Sequence, residues 1–336
     1  MGGILGAHGG AFNTPPLAGF IASPLGLVPK SQPGEFRLIH HLSSPQGSSV
    51  NDGIDEQLCR VQYATFDYAV QLVQGVGQGA MLAESDIKSA FRLLPVHPDD
   101  FHLLGFTFMG GFYFDRCLPM GCSISCSLFE KFSSFLEFLV ASRNGEGLVT
   151  HYLDDFLLVG DGSSACSSML TSFQQVCREL GVPLAAEKTV GPCSSLSYLG
   201  LEIDARAGLV RVPSDKLGKL RSMLVWALGR QKLSLREVQS LVGMLNFVCR
   251  AVLPGRAFLR RLIDLTTGVK QQHHKVRIGK GARADLEAWA SFLCQFNGAS
   301  FFLEARWQSG PDLQFFTDAA ASLGVWGVFR RKVVSG

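Results

Sequence analysis

LVTHYLDDFLLVGD, residues 148–161, sets two adjacent aspartates inside a run of Leu, Val, Tyr and Phe. A strand that is apolar on both sides of Asp154 and Asp155 seeks burial, and an unpaired buried carboxylate is costly. Either the pair sits at an exposed hairpin tip or it holds a metal ion. The arms HYL and FLLVG are long enough for two strands, which places the acids at a tight turn between them. VHPDDFH provides a control within the same chain: there Asp99 and Asp100 follow Pro98 in polar company and read as the start of a helix.

A further acid lies in similar surroundings. Asp86 closes the apolar stretch AMLAESD, where period-two alternation sends Leu82, Glu84 and Asp86 to one face. One reading makes Asp86 the N-cap of the following IKSAF; the other pairs its strand with the hairpin, so that Asp86 and Asp154 share a site. Three carboxylates that close raise each other's pKa unless cations intervene. Two divalent ions about 4 Å apart relieve this repulsion and clamp the attacking and leaving oxygens of an in-line phosphoryl displacement. Mg2+ is the hard, oxygen-seeking choice, with Mn2+ as a substitute.

The 336 residues exceed one small core and imply two or three subdomains. With 31 basic and 28 acidic residues the net charge is +3, only a weak pointer to a polyanionic partner. Nine cysteines without a CxxC pair argue for a reduced, intracellular protein rather than a disulfide or zinc framework; Cys122 and Cys126 lack histidine support. Met1-Gly2 is not followed by Ser or Thr at position 6, and no basic segment precedes an apolar one. Apolar runs such as FSSFLEFLVAS carry a charge and are too short to span a bilayer, so neither a secretion signal nor a membrane anchor is expected.

Residues 1–24, rich in Gly, Pro and Ala, read as loosely ordered. LGLVPK and EFRLIHHL read as a hairpin turned at Gln-Pro-Gly and carrying Lys30 and Arg37. TFDYAVQLVQGV shows a helical face of Phe66, Ala69, Val70 and Val73, and FHLLGFTFMGGFYFDRCLPM is β-like. In SISCSLFEKFSSFLEFLV the spacing of Ile124, Leu128, Phe132, Phe135 and Leu139 predicts a helix buried along that stripe. SSMLTSFQQVCRELGV is a helix stopped by Gly181, and LSYLGLEID reads as a strand pair with a turn at Asp204–Gly208. The chain then turns helical and basic. SDKLGKLRSMLVWAL and SLREVQSLVGMLNFVCRAV are each expected to open on a serine cap, and Lys216, Lys219, Arg221, Arg230, Lys232 and Arg236 recur through them. QFFTDAAASLGVWGVFRR closes as strand, turn, strand, and the whole defines an α+β fold. His40 and His41 show no acidic partner at metal-binding spacing and read as fold-specific contacts.

HYLDDFLLVG resembles the YxDD hairpin of reverse transcriptases, and five further segments follow that family's order: VPKSQPGEFRLI, SDIKSAF, LPMGCSISCSLF, AAEKT and SYLGLEI. The resemblance covers residues 25 to about 268 and implies a right-hand polymerase. Fingers and a palm with a ferredoxin-like antiparallel sheet would occupy 25–205, a helical thumb 206–268 and a connection 269–312. It implies an RNA-directed DNA polymerase that adds dNTPs to a primer on an RNA or DNA template, with Asp86, Asp154 and Asp155 holding two Mg2+ ions. Lys30 and Arg37 would grip the triphosphate; Ile87, Lys88, Ser89, Ala90, Phe91, Met120 and Gly121 would bind the nucleotide. Lys188 would protonate departing pyrophosphate, and Tyr198, Leu199 and Gly200 would form the primer grip. A bulky Phe91 beneath the sugar excludes a 2′-hydroxyl, and Gly121 admits close backbone approach. Many retroviral relatives carry Gln where this chain has Met120, which cannot make that side chain's hydrogen bond. Plainer readings stand beside these: Phe91 in the core, Lys30 and Arg37 solvated, Lys188 solvated beside Glu187.

FRLIHHLSSPQGSSVNDGI further resembles the tyrosine-recombinase (DIRS-type) retrotransposons. FFTDAAASLGVWGVF resembles the first hairpin of ribonuclease H, with Asp318 in place of its first metal-binding carboxylate. No Asp or Glu follows and 18 residues remain, so 313–336 is expected to be an incomplete, hybrid-inactive start, belonging to a longer polyprotein or a shortened gene product. Its VWGVF is expected to form an exposed, aggregation-prone edge. Two other classes fit in part. Nucleotide cyclases share a palm-like sheet but lack the fingers hairpin and thumb, and a catalytically dead retroelement relic would only bind nucleic acid.

Overall fold

The computed structural model describes residues 6–30, 34–144, 148–295 and 298–302, together with the backbone of two strands, 313–320 and 324–331. The chain divides into two units, Met1–Phe301 and Phe302–Gly336. The first begins with β1 (His8–Phe12), β2 (Leu25–Pro29), β3 (Phe36–His40), α1 (Phe66–Val76), β4 (Ala80–Asp86), β5 (Gly105–Phe108) and β6 (Gly111–Asp115). Next come α2 (Ser125–Asn144), β7 (Val149–Tyr152), β8 (Asp155–Asp161), α3 (Gly162–Glu179), β9 (Val190–Cys193), β10 (Ser195–Tyr198), β11 (Leu201–Asp204) and β12 (Leu209–Arg211). Then follow α4 (Ser214–Leu228), β13 (Lys232–Ser234), α5 (Leu235–Val248), α6 (Arg260–Asp264), β14 (Lys275–Arg277), α7 (Lys280–Gln295) and β15 (Ala299–Phe301).

The central sheet has the order β7-β8-β4-β9, antiparallel throughout. Taken with α2 and α3, its elements run β-α-β-β-α-β in the ferredoxin-like arrangement expected for the palm, with β5 and β6 inserted after β4. Strand alternation decides what each face does. Phe156 and Leu158 of β8 join Phe129, Leu136 and Val140 of α2 and Met169, Phe173 and Val176 of α3 in one core. Each such fully buried side chain contributes roughly 2 kcal/mol. On the other face the register sets Leu82 beside Val159, Glu84 beside Leu157 and Asp86 beside Asp155. The apolar half of that face ends where the acids begin.

Several expectations need correction. Residues 1–24 are not loose throughout: β1 pairs with β6, and Ala22 bridges Gly105. The glycines that suggest disorder permit this docking, because a Cβ on Gly9 would stand 2.3 Å from the Phe114 ring and one on Gly10 2.7 Å from the Phe112 carbonyl. In α2 the buried stripe is Phe129, Ser133, Leu136 and Val140, one position away from the expected one, and Phe135 is exposed. The repeated i, i+4 apolar spacing defines two adjacent stripes, and the small Ser125 and Ser133 let the helix sit close on the palm core. Ser214 does not cap α4, whose N-cap is Pro213; Ser234 does cap α5, in a reciprocal box with Glu237. LSYLGLEID already reverses at Leu199-Gly200, and the Asp204–Gly208 turn leads to β12. β9 has no counterpart in the sequence reading; its Pro192 is tolerated because β9 is an edge strand.

The hairpin β2–β3 forms as read, although residues 32–33 of its Gln-Pro-Gly turn lie outside the described residues. Beyond the palm, α7 packs on α4 and α6, with Arg261 gripping Asp285 through two guanidinium nitrogens, and β15 pairs with β12. Arg221 donates to the Leu293 carbonyl, 2.7 Å away, and Arg230 stacks over Trp226, so both are engaged in packing. In the second unit β16 (Leu313–Ala320) pairs antiparallel with β17 (Gly324–Arg331), with Asp318 opposite Trp326. The side chains there, and so the expected apolar edge, lie outside the described residues, as does the turn 321–323.

Candidate active site

β7 ends at Tyr152 and β8 begins at Asp155, so the reversal falls on Leu153 and Asp154; Leu153 takes a φ of +54°. The Asp154 carbonyl accepts the Ile87 N–H at 3.0 Å, which ties the turn to the end of β4. Asp86 lies directly across from Asp155 in the antiparallel register. The N-cap alternative for Asp86 fails, because no helix starts at Ile87: Ser89 is left-handed (φ +61°) and only a short 3-10 turn follows at Ala90–Leu93.

These acids crowd each other. Burial, a hydrogen bond with Asp86, and the charges of Asp154, Asp86 and Glu84 push the Asp155 carboxyl up to about 7. Burial and Asp86 push Glu84 up to about 7 as well, against an opposing pull from Lys188. Asp154 is raised chiefly by burial and then by Asp86, with partial relief from Lys188 and Arg37. Lys188 Nζ lies 2.6 Å from Asp86 Oδ2. Burial would lower the Lys188 pKa, but Asp86, Asp155 and Asp154 outweigh it and hold the ammonium protonated.

Among the described residues, no three acidic, histidine or cysteine side chains stand as a preassembled metal cage. The donor set nonetheless fits a hard divalent cation: carboxylates from β4, the turn and β8 converge, and their mutual repulsion is what such an ion relieves.

The remaining residues sort by contact. Ile87 and Ala90 are buried in the palm core, which leaves only their backbone for a nucleotide, whereas Lys88 and Ser89 are exposed. Phe91 is partly buried and packs edge-on against Phe129, with centroids 5.5 Å apart, so it forms the rim of the core. Met120 and Gly121 abut the fingers. The Met120 carbonyl accepts the His40 N–H at 2.8 Å, and Gly121 (φ +115°) has no room for a Cβ, which would stand 2.0 Å from the His40 carbonyl. The glycine is therefore required by the chain itself. Arg37 reaches Asp154 electrostatically, while Lys30 is paired with Glu35 at 3.0 Å. Tyr198 is buried, and Leu199 (φ +46°) and Gly200 form the turn; the Gly200 carbonyl accepts Lys216 Nζ at 2.8 Å, and that ammonium lies 4.7 Å from the centre of the Phe247 ring.

Sequence reading missed a cluster in the fingers. His40 does have an acidic partner: its Nδ1 lies 3.0 Å from Asp115, which also meets His8 at 2.7 Å and Arg92 at 2.5 Å. Asp115 is buried, yet the His40 and His8 hydrogen bonds and the Arg92 guanidinium overcome burial and hold it well below the usual carboxylate range. The three partners come from three separated segments, and only the Asp at the end of an aromatic strand hinted at them. Tyr63 also went unread; its ring lies 4.7 Å from that of Tyr152, beside the aspartates.

A carboxylate centre on a ferredoxin-like palm, flanked by a fingers hairpin and a helical subdomain, defines the right-hand polymerase class. The family described as "Reverse transcriptase (RNA-dependent DNA polymerase)" matches residues 28–203, and the chain belongs to it. Protein P of duck hepatitis B virus (strain China) is 28% identical over 164 residues, covering 48% of this chain and 20% of that protein. Protein P of woodchuck hepatitis B virus (isolate 2) is 30% identical over 175 residues, covering 52% and 19%. The match thus spans about a fifth of the length of these relatives. Among solved structures, the foamy viral protease-reverse transcriptase with double-stranded DNA superposes with a TM-score of 0.65 at 18% identity, over 92% of this chain and 49% of that one. The same viral enzyme with an RNA/DNA hybrid gives 0.64 at 17%, over 93% and 40%. At such identity the likeness is one of fold.

Proposed function

We propose that this chain is the polymerase part of a reverse transcriptase, extending a primer 3′-hydroxyl with dNTPs on an RNA or DNA template. The observation that carries this reading is the register of Asp86 against Asp155, with Asp154 at the adjoining turn. Asp86, Asp154 and Asp155 would hold two divalent ions, Mg2+ or Mn2+, which when bound supply charge neutralisation at the reacting oxygens. The primer oxygen bonds to the α-phosphorus as its proton leaves, and the α–β phosphoanhydride breaks to release pyrophosphate. Arg37 would face the triphosphate, a role supported by its field reaching Asp154 and by the fork of its guanidinium. Lys188 keeps its proton on Nζ against Asp86 and can pass it to pyrophosphate only by leaving that contact. Phe91, on the rim of the core, is the candidate ring beneath the sugar.

The DIRS-like stretch around Arg37 supports a retrotransposon origin, and the second-unit hairpin carrying Asp318 supports a ribonuclease H-like segment. Among the described residues no helix is long and apolar enough to cross a membrane. Primer extension on an RNA template tests the reading: the chain should incorporate dNTPs, and Asp154→Asn should abolish incorporation. Undiminished incorporation by the variant would contradict it.

A further inference from the structure

Helix α2 carries two glutamates, Glu130 and Glu137, among mainly apolar and small side chains. Seven residues is close to two helical turns, so both lie on one face. His151 of β7 sits between them and is 5% exposed. Its Nδ1 hydrogen-bonds with Glu137 Oε2, and its Nε2 lies 3.2 Å from Glu130 Oε1. The imidazole also stacks on Phe156, with centroids 5.2 Å apart. Glu130 Oε2 and His151 Nε2 are fully buried without a well-aligned hydrogen bond. His151 directly precedes Tyr152, the last residue of β7, after which the left-handed Leu153 turns the chain toward the aspartates.

A fold that needed only packing here would do as well with apolar side chains, since buried ionic groups are often neutral or costly for stability. Imperfectly satisfied buried groups persist where they hold a strained, useful geometry. The strain in question is next door: Leu153 is a non-glycine residue at φ +54°, and the aspartates follow it directly.

We propose that Glu130 is a positioning residue for the Asp154–Asp155 turn: with Glu137 it holds His151 from the helix side, which anchors the end of β7 and so fixes how the two aspartates meet Asp86. Glu130 does not touch the reacting groups. It acts through His151 and the strand end that leads into the turn. The proposal rests on the polymerase reading for its kinetic consequence but not for its structural one.

Two variants test it: Glu130→Leu, which removes the acceptor, and Glu130→Gln, which keeps an acceptor oxygen. Amide hydrogen exchange in Tyr152–Asp155 should rise selectively in Glu130→Leu, with Ala80–Asp86 unchanged, and should return toward wild type in Glu130→Gln. Single-turnover incorporation should fall about 10- to 100-fold in Glu130→Leu, with primer-template affinity within about twofold, and recover in Glu130→Gln. Unchanged exchange in the turn, an even rise across all palm strands, or a wild-type incorporation rate in Glu130→Leu would each overturn the proposal. If the wild-type chain itself incorporates nothing, the polymerase reading fails, and the exchange measurement still decides the role of Glu130.

Discussion

Asp115 and Asp155 are both aspartates held inside the fold, and their surroundings are opposite. Asp115, at the end of β6, meets His8, His40 and Arg92, and its carboxyl is held far down. Asp155, at the start of β8, meets Asp86, Asp154 and Glu84, and its carboxyl is pushed up to about 7. In the fingers the protein provides its own partners, a guanidinium and two imidazoles, and gains a cross-link between β1, β3, β6 and the segment before β5. In the palm Lys188 is in contact and Arg37 acts only at longer range, for a larger group of acids. An acid satisfied by its own chain is architecture; an acid left short of positive charge marks a place for something else to bind.

The contrast can be broken most directly in the palm. Replacing Asp86 by Asn should lower single-turnover incorporation about 1000-fold, while thermal melting in a chelator stays level or rises because a repelling charge is gone. Loss of stability together with activity would erase the distinction. In the fingers the sign reverses: Asp115→Asn should destabilise the fold by about 3 kcal/mol in urea titrations at pH 7, because the Arg92 guanidinium and the two histidine rings lose their buried carboxylate. That difference should depend on acid. The folded Asp115 pKa is depressed below the unfolded value of about 3.9, so its stabilisation is fully present above that value and is lost as pH falls through the lower folded one. Wild type and Asp115→Asn should therefore differ equally at pH 7 and pH 5 and converge below about pH 4; a constant gap down to pH 2 would contradict the ion cluster. The smallest effect is expected at Lys216, a cation whose partner is the Gly200 carbonyl. Lys216→Met should lose about 1 kcal/mol by urea titration, with a proportionate rise in hydrogen exchange at Leu199-Gly200.

The palm was legible because its signals are local. Asp154-Asp155 between two apolar arms, the alternation ending in Asp86, and the apolar face of α1 each declare themselves within a dozen residues, and the structure joins them as read. What escaped reading depends on distant partners or on close approach. Nothing local tells that Gly9 and Gly10 make room for Phe114 and Tyr113, or that the Gly191-Pro192 segment pairs along the edge of β4. The buried stripe of α2 was placed one position off, since two serines behave as core residues when a helix lies close to a sheet. The positions read as nucleotide-binding divide by burial, which no single-sequence pattern reveals: Ile87 and Ala90 serve the core, and Gly121 serves His40 as much as any ligand.

A double-mutant cycle addresses whether Asp86 and Asp155 work as one centre. Single-turnover incorporation would be measured for Asp86→Asn, Asp155→Asn and the pair together, each corrected for the folded fraction. Two acids serving one bound cation group should be strongly non-additive, the pair being scarcely slower than the worse single variant. Losses that multiply across the pair would mean that the two carboxylates act independently, and the shared centre would have to be abandoned.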